Sequence, residues 1–431
     1  MSTERPRAVI VGGARTPFVR AFAEYTQLDT IALGCLAVKG ALDRVGVPWS
    51  ELDALTWGGV ILPPTAPNVG REIALDLGLP ATVEAFTVSR ACASGLQAIY
   101  EAVVKIERGE ADVVIAGGSD STSNAALTMP ESLIRKVGPV VMNRKSGAGD
   151  YAALLTRLRP KDLMPQQPEV AERSTGELMG QACERMAVRN GITREAQDQL
   201  ALESHHKAAA AYEAGRFDDE IVPVTPPRGE TVYRDTIVRG DTSLEKLAKL
   251  KPAFAKGGTL TAANSSALTD GAACVIVCSE AKAKELGLTP LASFESFAWV
   301  GVDPADQLLM GPALAMPKAL ERAGLTMDEI DLVDMHEAFA AQVLSVDKML
   351  GSQAFARERL GRDTAVGSIQ ARKLNIHGGS LALGHPFGAT GARMVLTIAH
   401  ELARTSADTA LLGICAAGGL GAAAVMRAAS A

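Results

Sequence analysis

Two stretches of this chain repeat each other, and this internal duplication restricts the possible folds more than any other feature. Residues 41–47 and 52–55 match residues 319–325 and 330–333. In both copies a helix closes at a glycine, a short turn follows, and an apolar strand begins. The sequence therefore predicts two similar halves.

A second pair of landmarks appears in the same order. Gly95 and Gly391 each open a helical pattern, and sixteen residues after each glycine an Ala-Asp pair leads into an apolar strand. Helices that alternate with continuous apolar strands are typical of helix-covered, largely parallel sheets. We therefore expect an α/β fold, with a duplicated α/β/α layered core, mixed and mainly parallel sheets, and an inserted loop domain.

The insertion is the stretch without a counterpart in the other half. We predict an N-terminal half formed by residues 1–124 and 269–290, an inserted domain of residues 125–268, and a C-terminal half of residues 291–431. Residues 133–161 within the insertion carry seven basic residues and one acidic residue, Asp150. We favour a solvated basic loop over the alternative, a docking surface for phosphates or a partner subunit.

Composition and charge reduce the range of possible functions and partners. The hydrophobic fraction of 47% is ordinary for a globular protein, and the net charge of -6 argues against nucleic acid as the main partner. No apolar run is long enough to span a bilayer. Seven residues precede the first apolar strand, too few for a leader peptide, so we expect a cytoplasmic protein. The six cysteines lack zinc-type spacing, and we expect no bound metal.

Cys92 lies just before a predicted helix N-terminus and among small residues. Helix N–H groups favour a thiolate there, and small neighbours leave room for a substrate. A buried cysteine used as a small hydrophobic residue is an equally good interpretation of the position alone.

His385 lies in the most glycine-dense stretch of the chain, before the matching helix of the second half. In the duplication Gly388 corresponds to Cys92, so His385 is three residues upstream of the mirrored position. Two related loops that meet at a pseudo-twofold axis could bring His385 to Cys92, where it could act as a general base. A structural histidine is the alternative.

Two further residues end apolar strands. Cys415 precedes a glycine-rich turn, where a thiol could move a proton and exposed N–H groups could hold an oxyanion. His336 follows the strand at residues 330–333, and ligands gather at such strand ends. A core thiol and a helix-capping residue remain the alternatives for Cys415 and His336.

These segments resemble the thiolase family, from Ala8 to about Met426. The resemblance is carried by residues 92–97, by the 384–391 loop around His385, and by Cys415 before its glycine-rich turn. Residues 258–266 and 270–273 also resemble the family. Several long motifs in order are a strong signal.

The resemblance implies roles for the catalytic group. Cys92 would attack the 3-oxo carbon of a 3-oxoacyl-CoA and become an acyl-thioester. His385 would take the Cys92 proton, and Cys415 would protonate the departing acetyl-CoA enolate. His336 would hold the enolate oxygen through a water, and the N–H groups of Cys92 and Ala417 would hold the tetrahedral oxyanion.

Substrate contacts follow from the same resemblance. Ser266 would lie along the pantetheine arm, Arg239 would approach the nucleotide, and Met179 would contact substrate. The family implies acyl-CoA and CoA as substrates, no separate cofactor, and a homodimer or tetramer. A hydratase/dehydrogenase subunit is a further candidate partner.

Three departures from the common thiolase pattern refine the prediction. Many thiolases have Asn where His336 stands and Gly where Ala417 stands, and some short-chain members have His where Leu178 precedes Met179. Together they favour a degradative 3-ketoacyl-CoA thiolase, similar to the β-subunit of fatty-acid β-oxidation complexes. The alternatives are an acetoacetyl-CoA-specific biosynthetic thiolase and a β-ketoacyl synthase-like enzyme. A non-catalytic scaffold subunit is disfavoured because Cys92, His385 and Cys415 are all present.

Overall fold

The computed structural model describes residues 6–165 and 171–429. The chain forms two compact units, one of residues 6–124 with 171–429 and one of residues 125–165. The domain division made from the sequence stays a prediction, but residues 171–268 belong to the same compact unit as the two halves.

Ten strands form the sheet of the larger unit. They are β1 (Ala8–Arg15), β2 (Val19–Arg20), β3 (Ala54–Gly58), β4 (Glu84–Val88), β5 (Val113–Asp120), β6 (Thr269–Ser279), β7 (Ala292–Gly301), β8 (Leu332–Met335), β9 (Thr409–Ala416) and β10 (Leu420–Ala428). The strand order is β4-β3-β5-β6-β1-β7-β10-β9-β8, and β2 pairs with β6.

The strand order shows the duplication directly. The first half runs β3-β5-β6-β1 and the second runs β8-β9-β10-β7. In each half the first pair is parallel and the next two pairs are antiparallel. The halves join where β1 pairs with β7 over two residues, Val9 and Ile10.

The α/β class with mixed strand directions is confirmed, but the expectation of mainly parallel sheets is wrong. Among the strands that the structure describes, three pairs are parallel and six are antiparallel. Continuous apolar runs arise because helices cover both faces of a strand. Such runs indicate burial on both faces, and they do not specify the direction of the neighbouring strand.

Fifteen α-helices lie in the described parts of the chain. They are α1 (Thr30–Val45), α2 (Val69–Asp76), α3 (Ser94–Glu107), α4 (Glu131–Val141), α5 (Ala148–Arg157), α6 (Met179–Asn190), α7 (Arg194–Glu213), α8 (Leu244–Ala248), α9 (Glu280–Glu285), α10 (Pro304–Gln307), α11 (Gly311–Ala323), α12 (Ala340–Leu350), α13 (Gln353–Phe355), α14 (Ser380–Leu383) and α15 (Phe387–Arg404). None of them is long and apolar enough to cross a bilayer.

Equivalent helices and turns end in the same way in the two halves. Helices α1 and α11 close at Gly46 and Gly324, which both adopt the left-handed conformation. Asp53 accepts hydrogen bonds from the backbone N–H groups at the start of β5, and Asp331 does the same at the start of β9. The matched sequence positions therefore make matched contacts.

Helices α3 and α15 meet at their N-termini, backbone against backbone. A methyl group on Gly95 would lie 2.5 Å from the Gly388 carbonyl oxygen, and one on Gly391 would lie 2.6 Å from the Leu96 nitrogen. These two glycines are the landmarks that correspond in the duplication. The close approach brings the loop before α3 against the loop before α15.

The smaller unit contains α4, α5 and the basic segment 133–161. Lys136 forms an ion pair of 2.6 Å with buried Asp162, which also accepts from Ser132. Lys136 and Ser132 hold the pKa of the Asp162 carboxyl well below its usual range. The role of the remaining basic charges stays a prediction.

Replacement of Gly95 by Ala should test the contact between α3 and α15. The added methyl group meets backbone atoms that cannot rotate away, so we expect a loss of about 1–3 kcal/mol in the free energy of unfolding. Gly301→Ala is the control, since a methyl group there meets nothing within 4 Å, and it should change stability by less than about 0.5 kcal/mol. Equal denaturation midpoints for the two variants would contradict the tight contact.

Candidate active site

Four chemically active side chains lie at the ends of elements from both halves. Cys92 is in the turn between β4 and α3, and His385 is between α14 and α15. Cys415 is in β9, and His336 directly follows β8. The Cys92 sulfur and ring nitrogens of His336 and His385 lie within 4.8 Å of one another. The expected meeting of the two loops is therefore found in the structure.

The pair at the centre is Cys92 and His385. The Cys92 Sγ atom lies 3.2 Å from Nε2 of His385, and Nδ1 of that ring lies 2.6 Å from the Thr390 hydroxyl. Thr390 donates its only hydroxyl proton to the Pro386 carbonyl, so it accepts from Nδ1–H. Nε2 is therefore the unprotonated nitrogen, and it can accept the proton of the Cys92 thiol.

The Cys92 turn is held in a strained conformation. Ala91 has a positive φ of 45°, which is uncommon for a residue with a side chain. The Ser94 hydroxyl accepts from the Arg90 N–H at 2.8 Å and donates to the Ala91 carbonyl at 2.6 Å. These bonds fix the direction of Cys92 before α3 begins.

Burial determines the protonation of this pair. Burial raises the pKa of the Cys92 thiol to about 12, although the backbone N–H groups of Ala417 and of Cys92 itself oppose the shift. Burial lowers the pKa of His385 to about 3, and the positive charge of Arg393 adds to the effect. The helix N-terminus was expected to favour a thiolate, but desolvation outweighs it. The resting pair is therefore a thiol and a neutral imidazole.

His336 lies fully buried beside His385, with ring centroids 4.1 Å apart. Its Nδ1 atom is 2.9 Å from the Ser380 hydroxyl, and its Nε2 atom has no hydrogen-bond partner in the protein. Burial first, and then the neighbouring His385 and Arg393, lower the pKa of His336 well below its usual value. His336 is therefore a neutral imidazole near Cys92, and one of its ring nitrogens has no protein partner.

Cys415 is buried in the apolar cluster of the second half. Burial raises its pKa well above the usual value, and the Coulombic influence of Cys92 and Cys183 acts in the same direction. The turn after Cys415 is fixed by a hydrogen bond of 2.8 Å from the Gly418 N–H to the Glu172 carboxylate. The neighbouring Ala417 N–H faces the Cys92 sulfur. The second half thus supplies both a thiol and an N–H group to the site.

Asp120 is a residue that the sequence reasoning missed. It ends β5 fully buried, and its carboxylate accepts from the N–H groups of Val60, Ile61 and Gly388, the last at 2.6 Å. Burial raises its pKa to about 6 despite these bonds. Asp120 links the first half to the N-terminus of α15. An aspartate at a strand end carries no local signal for such a contact.

Glu337, also missed, anchors the His336 segment. Its buried carboxylate accepts from Ser204 at 2.7 Å, from Asn375 at 2.6 Å and from the Leu381 N–H at 3.2 Å. Leu381 lies next to Ser380, the partner of His336. The position of Glu337 directly after His336 was the one sequence feature that could have indicated a role for Glu337 in the site.

The three residues expected to contact substrate, Ser266, Met179 and Arg239, lie in different surroundings. Ser266 donates its backbone N–H to the Ala338 carbonyl and so lies beside the His336 segment. Met179 begins α6 and packs on the apolar cluster that holds Cys415. Arg239 is exposed, and its guanidinium group donates to the nearby carbonyls of Thr236 and Val238.

Comparison with known proteins identifies the family. The profile described as the thiolase N-terminal domain matches residues 8–281, and that of the thiolase C-terminal domain matches residues 288–428. The chain belongs to the thiolase family. The prediction made from the sequence motifs is confirmed, and the site described above is the candidate active site of this thiolase.

Relatives of known name cover nearly the whole chain. The chain is 45% identical over 423 residues to the 3-ketoacyl-CoA thiolase of Yersinia pestis (strain Pestoides F), which covers 98% of this chain and 97% of that protein. The acetyl-CoA acetyltransferase of Bacillus anthracis superposes with a TM-score of 0.84 at 33% identity, over 99% of this chain and 100% of the other. Human mitochondrial 3-ketoacyl-CoA thiolase in complex with CoA superposes with a TM-score of 0.83 at 30% identity, over 98% of each chain.

The alkylation rate of Cys92 should reveal the protonation of the pair. The thiolate fraction rises as pH approaches a pKa of about 12, so the iodoacetamide rate should increase about tenfold per pH unit between about pH 6 and about pH 9. Cys92→Ser provides the background from the other cysteines. A rate that is flat over this range would indicate a thiolate–imidazolium pair instead.

Proposed function

We propose that this thiolase is a 3-ketoacyl-CoA thiolase, an acyl-CoA:acetyl-CoA C-acyltransferase. It cleaves 3-oxoacyl-CoA with CoA to give acetyl-CoA and a shortened acyl-CoA, and the reaction is reversible. The observation that carries the proposal is the 3.2 Å contact between the Cys92 sulfur and an unprotonated Nε2 of His385. The 45% identity to a named 3-ketoacyl-CoA thiolase supports the substrate class.

The first half-reaction begins with proton transfer from Cys92 to His385. The sulfur then attacks the 3-oxo carbon, and the N–H groups of Cys92 and Ala417 stabilise the tetrahedral oxyanion. The C2–C3 bond breaks, and its electron pair leaves on the acetyl-CoA enolate. Cys415 donates a proton to that carbon, which leaves an acyl-thioester on Cys92 and free acetyl-CoA.

The second half-reaction uses the same base. His385 passes the proton it took from Cys92 to the Cys415 thiolate and is neutral again, and it then takes the thiol proton of incoming CoA. The CoA sulfur attacks the acyl carbon, and Cys92 departs and recovers the proton. Because both imidazoles are neutral at rest, His385 can accept a proton in each half-reaction.

The enolate oxygen needs hydrogen-bond donors during the first half-reaction. We assign this role to protonated His385 and to a water bound at Nε2 of His336, the buried atom without a protein partner. Ser380 can donate to Nδ1 or accept from it, so His336 can present either a donor or an acceptor. Donors already in place stabilise the developing charge without reorganisation.

The CoA contacts are proposed from the family. Ser266 would lie along the pantetheine arm, because its backbone is bonded to Ala338, two residues after His336. Met179 at the start of α6 would contact the acyl portion. Arg239 reaches the nucleotide in this proposal only if its guanidinium group leaves the carbonyls of Thr236 and Val238.

The acyl chain length distinguishes the two thiolase alternatives. An acetoacetyl-CoA-specific enzyme is the second candidate, because the Bacillus anthracis acetyl-CoA acetyltransferase superposes over the full chain. We expect thiolysis of 3-oxoacyl-CoA substrates of medium and long chain at rates comparable with or above that of acetoacetyl-CoA. Activity confined to acetoacetyl-CoA in a thiolysis assay across chain lengths would favour the second candidate.

Assembly and location are proposed on the same basis. We propose a cytoplasmic homodimer or tetramer that requires no separate cofactor and acts in fatty-acid β-oxidation, with a hydratase/dehydrogenase subunit as the candidate partner. For the basic segment 133–161 we favour a solvated loop, and a docking surface for phosphates or a partner subunit is the alternative. Sedimentation should give a mass of two or four chains.

Replacement of Cys415 by Ala should distinguish the role of the Cys415 thiol from that of the Cys92 thiol. The variant lacks the acid–base group for the enolate, so exchange of the acetyl-CoA methyl protons with deuterated solvent should fall by about 100-fold or more. Mass spectrometry should still detect acylation of Cys92, whereas Cys92→Ala should show no acyl adduct. Unchanged proton exchange in Cys415→Ala would show that its assigned role is wrong.

A further inference from the structure

The thiol and the two imidazoles of the site form a cluster of soft and borderline metal ligands. Cys92 Sγ and one ring nitrogen each of His336 and His385 all lie within 4.8 Å of one another. Ligands around tetrahedral zinc are spaced by about 3.5 Å, given Zn–S and Zn–N bonds of about 2.3 and about 2.1 Å. The cluster therefore needs only small side-chain rotations to close around one ion.

Both imidazoles are oriented as in metal sites. Each Nδ1 atom has a hydroxyl partner, Thr390 for His385 and Ser380 for His336, which leaves each Nε2 atom for a metal. Nε2 of His385 lies 3.2 Å from the Cys92 sulfur. A hydrogen bond on the remote nitrogen is the usual support of a zinc-bound histidine. The buried Nε2 of His336 has no protein partner, so nothing in the protein competes for its lone pair.

The chemistry of the ligands restricts the metal. The thiol must lose its proton when a cation binds, so metal binding should strengthen as pH rises. The ligand set of one sulfur and two nitrogens excludes Mg²⁺ and Ca²⁺, which require oxygen ligands.

We propose that Cys92, His336 and His385 capture one Zn²⁺ ion as a reversible inhibitory site. Zn²⁺ binds the sulfur and both Nε2 atoms, and the Cys92 proton is released to solvent, so one proton leaves for each ion bound. The fourth position stays open to water or to a thiolate such as that of CoA. The bound ion occupies the nucleophile and the base together, and a Cys92 acyl-thioester excludes it.

The site depends on a residue that departs from the common family pattern. Asn at position 336, as in many thiolases, would leave two ligands and no third nitrogen. The three residues are separated by 244 and 49 positions (336 minus 92, and 385 minus 336). No local spacing signals such a site, because the fold assembles it from both halves.

Direct metal binding tests the proposal independently of activity. We expect metal-free enzyme to bind one Zn²⁺ per chain in competition with a chromophoric chelator, with release of one proton. Cd²⁺ should produce the ultraviolet thiolate-to-metal band. His336→Asn should weaken Zn²⁺ binding by about 100-fold or more, since loss of even an outer-shell partner weakens metal sites by about 10–100-fold. His206→Asn, at an exposed histidine, is the matched control and should bind as wild type.

Wild-type enzyme alkylated at Cys92 provides a second test that needs no variant to fold. It should lose the Cd²⁺ band and bind Zn²⁺ at least about 100-fold more weakly. Unchanged affinity after alkylation, or in His336→Asn, would overturn the site. The inhibitory role rests on the proposed function: Zn²⁺ should slow thiolysis in wild type with the same midpoint as binding. Stoichiometric binding without thiolase activity would instead count against the proposed reaction while leaving the metal site intact.

Discussion

The direct contact between the N-termini of α3 and α15 is the constraint on which the rest of this structure depends. Side chains on Gly95 or Gly391 would separate the two backbones, and Cys92 and His385 are carried by the turns that precede these helices. A sulfur-to-nitrogen distance of 3.2 Å therefore reflects the packing of two helices rather than the flexibility of two loops. Asp120 reinforces the contact by binding the Gly388 N–H from the opposite half.

Desolvation of the site is the second constraint, and it follows from the contact between α3 and α15. The helix contact encloses the site, and burial then shifts the pKa of the thiols upward and that of the imidazoles downward. A neutral thiol is a weaker nucleophile than a thiolate, so proton transfer from Cys92 to His385 must accompany the attack. The backbone N–H groups of Cys92 and Ala417 are too few to reverse the desolvation of the sulfur at rest.

The sequence predicted most of the scaffold and the members of the site. The duplication located equivalent strands and helices, and the mirrored positions of Cys92 and Gly388 indicated that His385 would face the sulfur. The directions of β6 and β10 could not be predicted, because burial on both faces produces the same apolar run in either direction. The pKa of Cys92 also depended on burial by distant residues, which local helix position does not reveal.

Neither half of the duplicated fold contains a complete site, since Cys92 belongs to the first half while His336, His385 and Cys415 belong to the second. In a symmetric pair of identical chains, any side chain placed in one loop must recur in the other. A nucleophile would then face a second nucleophile, or a base a second base. Fusion of two copies into one polypeptide removes that restriction, so each loop can diverge while the glycine contact between them is kept. Covalent linkage of the halves is thus what allows an asymmetric site to occupy a nearly symmetric frame.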